Sequence, residues 1–201
     1  MSGEFRSWWH RAGVCALLSA VASGGLLPAP PASAADRRAV SGCTAPSKRA
    51  VAVTVVGTAG PDILRLADGR SVRLVGALPP IPPARLDAHA AWPPQIAATR
   101  ALQTAVGQAV YLSKPGKGRI KRGRYGNLRA LAWAAFPKPS TTAKDLPREL
   151  SPSQLPLRLL QEEQVSAGHA RVFPHKLTPP CAATLLRAEA AARAARAGLW
   201  A

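Results

Sequence analysis

DILRLADGRSVRLVG, residues 62–76, places Leu64 and Leu66 on either side of Arg65, then Val72 and Leu74 on either side of Arg73. An alternation of period two puts the apolar members of each run on one face of an extended chain. Asp68-Gly69 between the runs is a strong hairpin signal, because its backbone tolerates the positive φ that a tight turn between twisted strands requires. Just upstream, AVAVTVVG at 50–57 is a β-branched run suited to a third strand. The chain therefore starts its folded part with a three-stranded meander that is complete by Gly76.

Downstream the pattern changes twice. LPPIPPARLDAHAAWPP at 78–94 carries six prolines and reads as an exposed connection, since proline lacks the amide hydrogen that a sheet or helix interior uses. QIAATRALQTAVG at 95–107 reads as a helix with Ile96, Leu102 and Val106 toward one face and Gly107 as its stop. QAVYLS at 108–113 and LRALAWAAF at 128–136 are a fourth and fifth strand, and between them lies the stretch KGRIKRGRYGN at 117–127. Residues 137–154, PKPSTTAKDLPRELSPSQ, form a low-complexity insertion. A second helix is expected to end near Gly168, and a third, alanine-rich one to begin around Pro180 and run toward the closing Gly198-Leu199-Trp200. Five strands with one helix between the third and fourth suit a small closed barrel of the oligonucleotide-binding type, giving an α+β fold of one barrel and three α-helices.

The chain has 201 residues and a formal charge of +17. Residues 1–34 have the layout of a secretory signal peptide: Arg6 and Arg11 precede the apolar run AGVCALLSAVASGGLL, and PPASA supplies small residues before a cleavage site after Ala34. Residues 35–49 are polar and irregular, and residues 50–201 are the domain. Removing 1–34 takes two of the 27 cations and one of the 10 anions and leaves +16, a field that attracts polyanions. No stretch reaches the ~20 apolar residues of a membrane span, so no stable membrane insertion is expected after cleavage. Of the cysteines, Cys43 and Cys181 remain; two cysteines at opposite ends of an exported domain read as one disulfide, with a pair of free buried thiols as the alternative. His89, His169 and His175 lack a zinc-ligand spacing with them. Trp92, Trp133 and Trp200 read as packing residues, and Glu162 and Glu163 as solvated positions on a helix.

Four segments, DILRLADGRSVRLVGALPP, GRYGNLRALAW, QVSAGHARVF and LLRAEAAARAARAGLW, occur in an order that resembles the thermonuclease (staphylococcal nuclease-like) family across roughly residues 50–201. That resemblance implies a calcium-dependent phosphodiesterase acting on DNA and RNA, built on an oligonucleotide-binding barrel. The family's site uses two metal-binding aspartates, a glutamate near the attacking water and two phosphate-binding arginines. Asp62 falls on the first aspartate and Arg73 on the first arginine. The second aspartate and the glutamate fall on Leu78 and Ile81, and the second arginine falls on Asn127, after Tyr125-Gly126. The resemblance thus implies that Asp62 is the single metal candidate, with Asp87 and Arg129 as possible substitutes for lost groups.

Replacing the glutamate by Ile81 removes a proton acceptor of a kind typically credited with ~10²–10⁴-fold in rate, and Asn127 cannot form the charged fork that arginine offers a phosphate. What survives is the grip: Lys114, Lys117, Arg119, Lys121, Arg122 and Arg124 crowd one loop beside Tyr125. Basic loops flanking a barrel, with an aromatic for base stacking, hold single strands without reading sequence. The expectation is an exported, monomeric protein that binds single-stranded nucleic acid or another polyanion through Arg73, Lys121, Arg122, Arg124, Tyr125 and Arg129, needs no cofactor, and has lost most or all nuclease activity. The alternatives are an active nuclease with a rearranged site, which would use calcium, and a protein-interaction or envelope-structural module.

Overall fold

The computed structural model describes residues 42–86, 92–135, 155 and 157–201. The signal peptide expected at 1–34, Asp87 and the insertion at 137–154 lie outside the described residues. In chain order the elements are strands β1 (Val53–Thr58), β2 (Ile63–Leu66), β3 (Ser71–Leu74) and β4 (Ala77–Leu78), helix α1 (Pro93–Gln103), strands β5 (Ala109–Ser113), β6 (Lys121–Arg122), β7 (Leu128–Ala135) and β8 (Leu157–Leu159), helix α2 (Leu160–Ser166), strand β9 (Arg171–Val172) and helix α3 (Pro179–Ala194). A single 3₁₀ turn, Gly198–Trp200, follows.

The meander forms as its sequence dictates: β1 pairs antiparallel with β2, and β2 with β3, so that Leu64 faces Val72 across the hairpin. Gly69 takes φ 82° at its turn, and its N–H donates to the Leu66 carbonyl at 3.0 Å. β1 also pairs with β5, β5 with β7, and β7 runs parallel to β3. These pairings close a five-stranded mixed barrel with no free edge among its members, the arrangement that removes the exposed-edge hazard of an open sheet. The fold is the α+β barrel with three helices that the alternation pattern predicts.

Every second residue fills the barrel: Val55, Leu64, Leu66, Val72, Leu74, Val110, Ala130 and Ala132 are all buried in one cluster. Each fully buried leucine or valine stabilises the fold by ~1.5–3 kcal/mol relative to leaving it in water. β7 changes neighbours partway along, from β3 and β6 to β5 and β8. At that change the fully buried Gln161 of α2 supplies the missing partners, its Oε1 accepting from the Ala132 N–H at 3.2 Å and its Nε2 donating to the Ala130 carbonyl at 2.9 Å. A buried amide is tolerated there because both of its ends are satisfied.

The first helix departs from expectation. Ala98, Leu102 and Ala105 are buried, the last two in the barrel's core cluster, whereas Ile96 and Val106 are 40% exposed. Ile96 stands six residues before Leu102, about 120° round a helix of ~3.6 residues per turn, and Val106 lies beyond the end of α1. Two alanines beside one leucine allow a close approach of helix to barrel, and the larger side chains are left outside it.

Cys43 and Cys181 are joined in a disulfide across 138 residues of chain. It ties the start of the described domain to the first turn of α3, where Gly42 packs so closely on Pro180 that any side chain there would collide with it. In the chain-entropy model, closing a loop of this length stabilises the fold by ~5 kcal/mol. Trp133 is buried, and its Nε1 donates to Ser113 Oγ at 2.8 Å, which in turn donates to the Thr44 carbonyl at 2.6 Å.

Candidate anion-binding site

Asp62 immediately precedes β2, and its carbonyl accepts from the Leu74 N–H at 2.9 Å, so the hairpin holds it beside β3. Arg73 Nε lies 3.0 Å from Asp62 Oδ2. The contact is an ion pair whose N–H points away from the line of a hydrogen bond, for Arg73 Nε has no hydrogen-bond partner. Burial pushes the Asp62 carboxyl above its ordinary pKa, and the nearby Arg73 charge and the backbone N–H only partly oppose that rise. Asp62 is thus a carboxylate whose charge is held at a cost.

The positions at which the resemblance expects the other carboxylates hold no acid. Leu78, in β4, and Ile81, in the following coil, are 39% and 69% exposed aliphatic residues and offer no oxygen ligand from their side chains. Among the described residues no three His, Cys, Asp or Glu side chains come together closely enough to hold a metal ion. A calcium ion takes six to eight oxygen ligands, largely carboxylate. The described residues do not fit it.

Cations, in contrast, converge. The parallel pairing of β3 and β7 sets Arg73 opposite Arg129, and the antiparallel pairing of β6 and β7 sets Arg129 opposite Lys121. Because Val72, Leu74 and Ala130 fill the interior, the alternate residues Arg73 and Arg129 face outward. Three like charges thus stand in one row across adjacent strands, an arrangement that destabilises a sheet by ~0.2–1 kcal/mol per directly opposed pair unless an anion intervenes. Arg129 Nε, like Arg73 Nε, is buried without a hydrogen-bond partner. Asn127 is not in this row: its carbonyl accepts from the Gly123 N–H at 2.8 Å and closes the hairpin turn. Arg129, two residues on, is the arginine that stands beside Arg73.

The basic hairpin divides into two parts. At its tip Arg122 Nη1 donates to the Gly126 carbonyl at 3.0 Å, so this guanidinium braces its own turn. Arg124 is exposed there, and Tyr125 is 76% exposed. At its root a groove of about 470 Å³ is lined by Lys117, Arg119, Lys121 and Arg129 of the hairpin and by Lys176 from the segment before α3. Its remaining lining includes Val75, Leu177 and Thr178, and among the described residues no carboxylate reaches it. The two walls are locked together, the Thr178 N–H donating to the Pro115 carbonyl at 3.2 Å. Sequence reasoning missed Lys176, which lies far along the chain; the signal that marks its neighbourhood is the Thr178-Pro179 helix start, which fixes the direction of the preceding turn.

Most described carboxylates are occupied elsewhere. Asp68 pairs with Arg70, whose hydrogen bond holds the carboxyl below its ordinary pKa. Glu163 pairs with Arg158 at 3.2 Å, and Glu189 with Arg193 at 2.8 Å. Glu162 and Glu163 sit on α2, where burial pushes both carboxyls up. Trp200 takes the Arg193 guanidinium over its ring at 4.1 Å, a packing role at the chain end. Among the described residues no helix is long and apolar enough to cross a membrane. No protein-family model matches the chain, and no curated protein sequence is similar to it.

Proposed function

We propose that this chain is an exported, thermonuclease-like barrel protein that holds single-stranded nucleic acid or another polyanion and has lost most or all phosphodiesterase activity. The observation that carries the proposal is the row Arg73, Arg129, Lys121 across adjacent strands, set against the aliphatic Leu78 and Ile81 at the positions where the resemblance expects carboxylates. Cleavage of a phosphodiester needs a group to accept a proton and charge stabilisation aimed at the transition state. The row supplies positive charge for a bound phosphate, and Leu78 and Ile81 supply neither a base nor a metal ligand. Binding therefore persists where cleavage does not. The leader-like residues 1–34 and the disulfide support export.

Fluorescence anisotropy with a labelled single-stranded oligonucleotide tests the binding half. If six cations contact phosphates, the logarithm of affinity falls with the logarithm of salt at a slope of roughly −4 to −5. Absence of binding at low salt refutes it. Incubating the protein with single-stranded DNA in calcium, with and without chelator, tests the other half: chelator-sensitive cleavage at an enzymatic rate overturns the loss of activity.

A second reading, a nuclease with a rearranged site, is favoured by one observation: Asp62, Arg73 and Arg129 occupy neighbouring positions. On that reading Asp62→Ala abolishes cleavage and Arg129→Ala damages it, whereas on the first reading neither variant has activity to lose.

A further inference from the structure

We propose that the groove at the hairpin root is a site for closely spaced phosphate groups that reads charge and not bases, with Lys176 and Lys117 as deciding contacts; this rests on the polyanion reading above and names what the polyanion must carry. Among the described residues five cationic side chains line the groove, no carboxylate and no aromatic ring does, and Thr178 is the one neutral polar side chain. A base entering it finds neither a stacking platform nor a set of hydrogen-bonding edges to match. A chain of phosphates finds lysine heads, which are point charges on flexible stems and adjust to variable spacing.

Lys176 gives a second, independent indication. The Leu177 N–H donates to the Pro174 carbonyl at 3.1 Å, closing a turn in which Lys176 occupies the third position at φ 74°. Glycine or asparagine adopts that conformation at lower cost. Arg196 also has a positive φ, 49°, and the end of α3 explains it, because Ala197 and Arg196 donate to the Ala192 and Arg193 carbonyls as helix-capping turns do. Lys176 caps no helix. An exposed lysine kept in a strained conformation on the wall of a cationic groove fits a residue retained for its charge.

The groove is also formed in advance. A Cβ on Gly116 would lie 2.7 Å from the Lys176 carbonyl oxygen, so the hairpin loop and the turn meet backbone to backbone. Ligand binding then requires little ordering of the walls, and more of the interaction energy shows as affinity.

Competition against the labelled oligonucleotide tests the proposal, with unlabelled DNA in one arm and inorganic polyphosphate of equal phosphate count in the other. Polyphosphate is expected to displace the probe within about threefold of DNA. The double variant Lys176→Gly/Lys117→Ala is expected to weaken both ligands by about tenfold and to make the salt slope shallower by ~1.4, the value for two lost single-strand phosphate contacts. Lys176→Gly alone is expected to keep or raise Tm, because it relieves the turn while removing the charge. If the wild-type protein binds neither ligand, the polyanion reading falls together with this inference. If it binds DNA but polyphosphate fails to compete, or the double variant binds as the wild type does, this inference falls alone. A lower Tm for Lys176→Gly overturns the claim that the lysine is there for its charge.

Discussion

The tip and the root of one hairpin are both densely cationic, and they are built for different things. At the tip Arg122 is spent on the Gly126 carbonyl, and Arg124 and Tyr125 are exposed with no second wall among the described residues. At the root Lys121 and Arg129 are in strand register with Arg73, and a segment from far along the chain supplies Lys176 as an opposing wall. Charge density is similar in the two places, and convergence is not. Point charges on a convex turn are screened singly, whereas charges around a concave surface with low-dielectric walls act on the same anion.

Four perturbations break or sharpen this contrast. The largest is Cys43→Ser with Cys181→Ser, which is expected to cost ~5 kcal/mol in a denaturant titration, by the chain-entropy argument. Because Cys181 lies in the first turn of α3, next to the groove wall, anion affinity should fall along with stability. Next comes Gly116→Val, whose side chain must displace the Lys176 backbone; it is expected to cost ~1–3 kcal/mol, as overpacking generally does, and to open the groove. Its counterpart at the tip, Gly126→Ala, meets nothing within 4 Å but must adopt φ 78°, so it should cost about 1–2 kcal/mol and leave affinity near the wild-type value. Third, Arg129→Ala should lower affinity by about tenfold, equivalent to ~1.4 kcal/mol, while Arg124→Ala changes it less than about twofold, as expected of an exposed single charge.

The smallest effect belongs to pH. The Asp62 carboxyl is raised above 3.8 in the folded state, so the folded protein holds its proton more tightly than the unfolded chain does. The stability contributed by this group is fully present below the unfolded value and is lost as pH rises through the raised one. Glu162 and Glu163 on α2 are displaced in the same direction, so Asp62→Asn should flatten the acid-side rise in stability without abolishing it. Protonating Asp62 also withdraws the counter-charge from Arg73. Affinity for polyphosphate should therefore increase as pH falls through the raised value of this carboxyl, and Asp62→Asn should bind more tightly at neutral pH with less dependence on acid, both measurable by the same anisotropy titration.

Local pattern accounts for what the sequence made legible. Asp68-Gly69 between two alternating runs determines β2 and β3 without help from distant residues, and the same holds for the proline-led start of α3. The disulfide follows from counting cysteines in the expected mature chain. The site was legible only in pieces. Arg73, Lys121 and Arg129 can be picked out as cations on strands, but their single row depends on a parallel pairing of β3 with β7 that no local signal specifies. Asn127, where the resemblance expects an arginine, closes the hairpin turn through its carbonyl, and Arg129 holds the strand position beside Arg73. Lys176 depends on a backbone contact with Gly116, which no periodicity in either segment encodes. Angular position and not residue size sets the inner face of α1: Ala98 and Leu102 are buried, and the larger Ile96 is left outside.

The covalent closure between Cys43 and Cys181 has a consequence wherever the chain meets a protease. One cut anywhere between them, over a sequence separation of 138, leaves both fragments in a single molecule until a reductant is added. A nick in the Pro/Ser/Thr-rich stretch would assign residues 115–121 to one fragment and 176–179 to the other, with the bridge still linking them. Such a molecule runs as one band on a non-reducing gel and as two after reduction, and its two halves stay tethered at high effective concentration instead of diffusing apart.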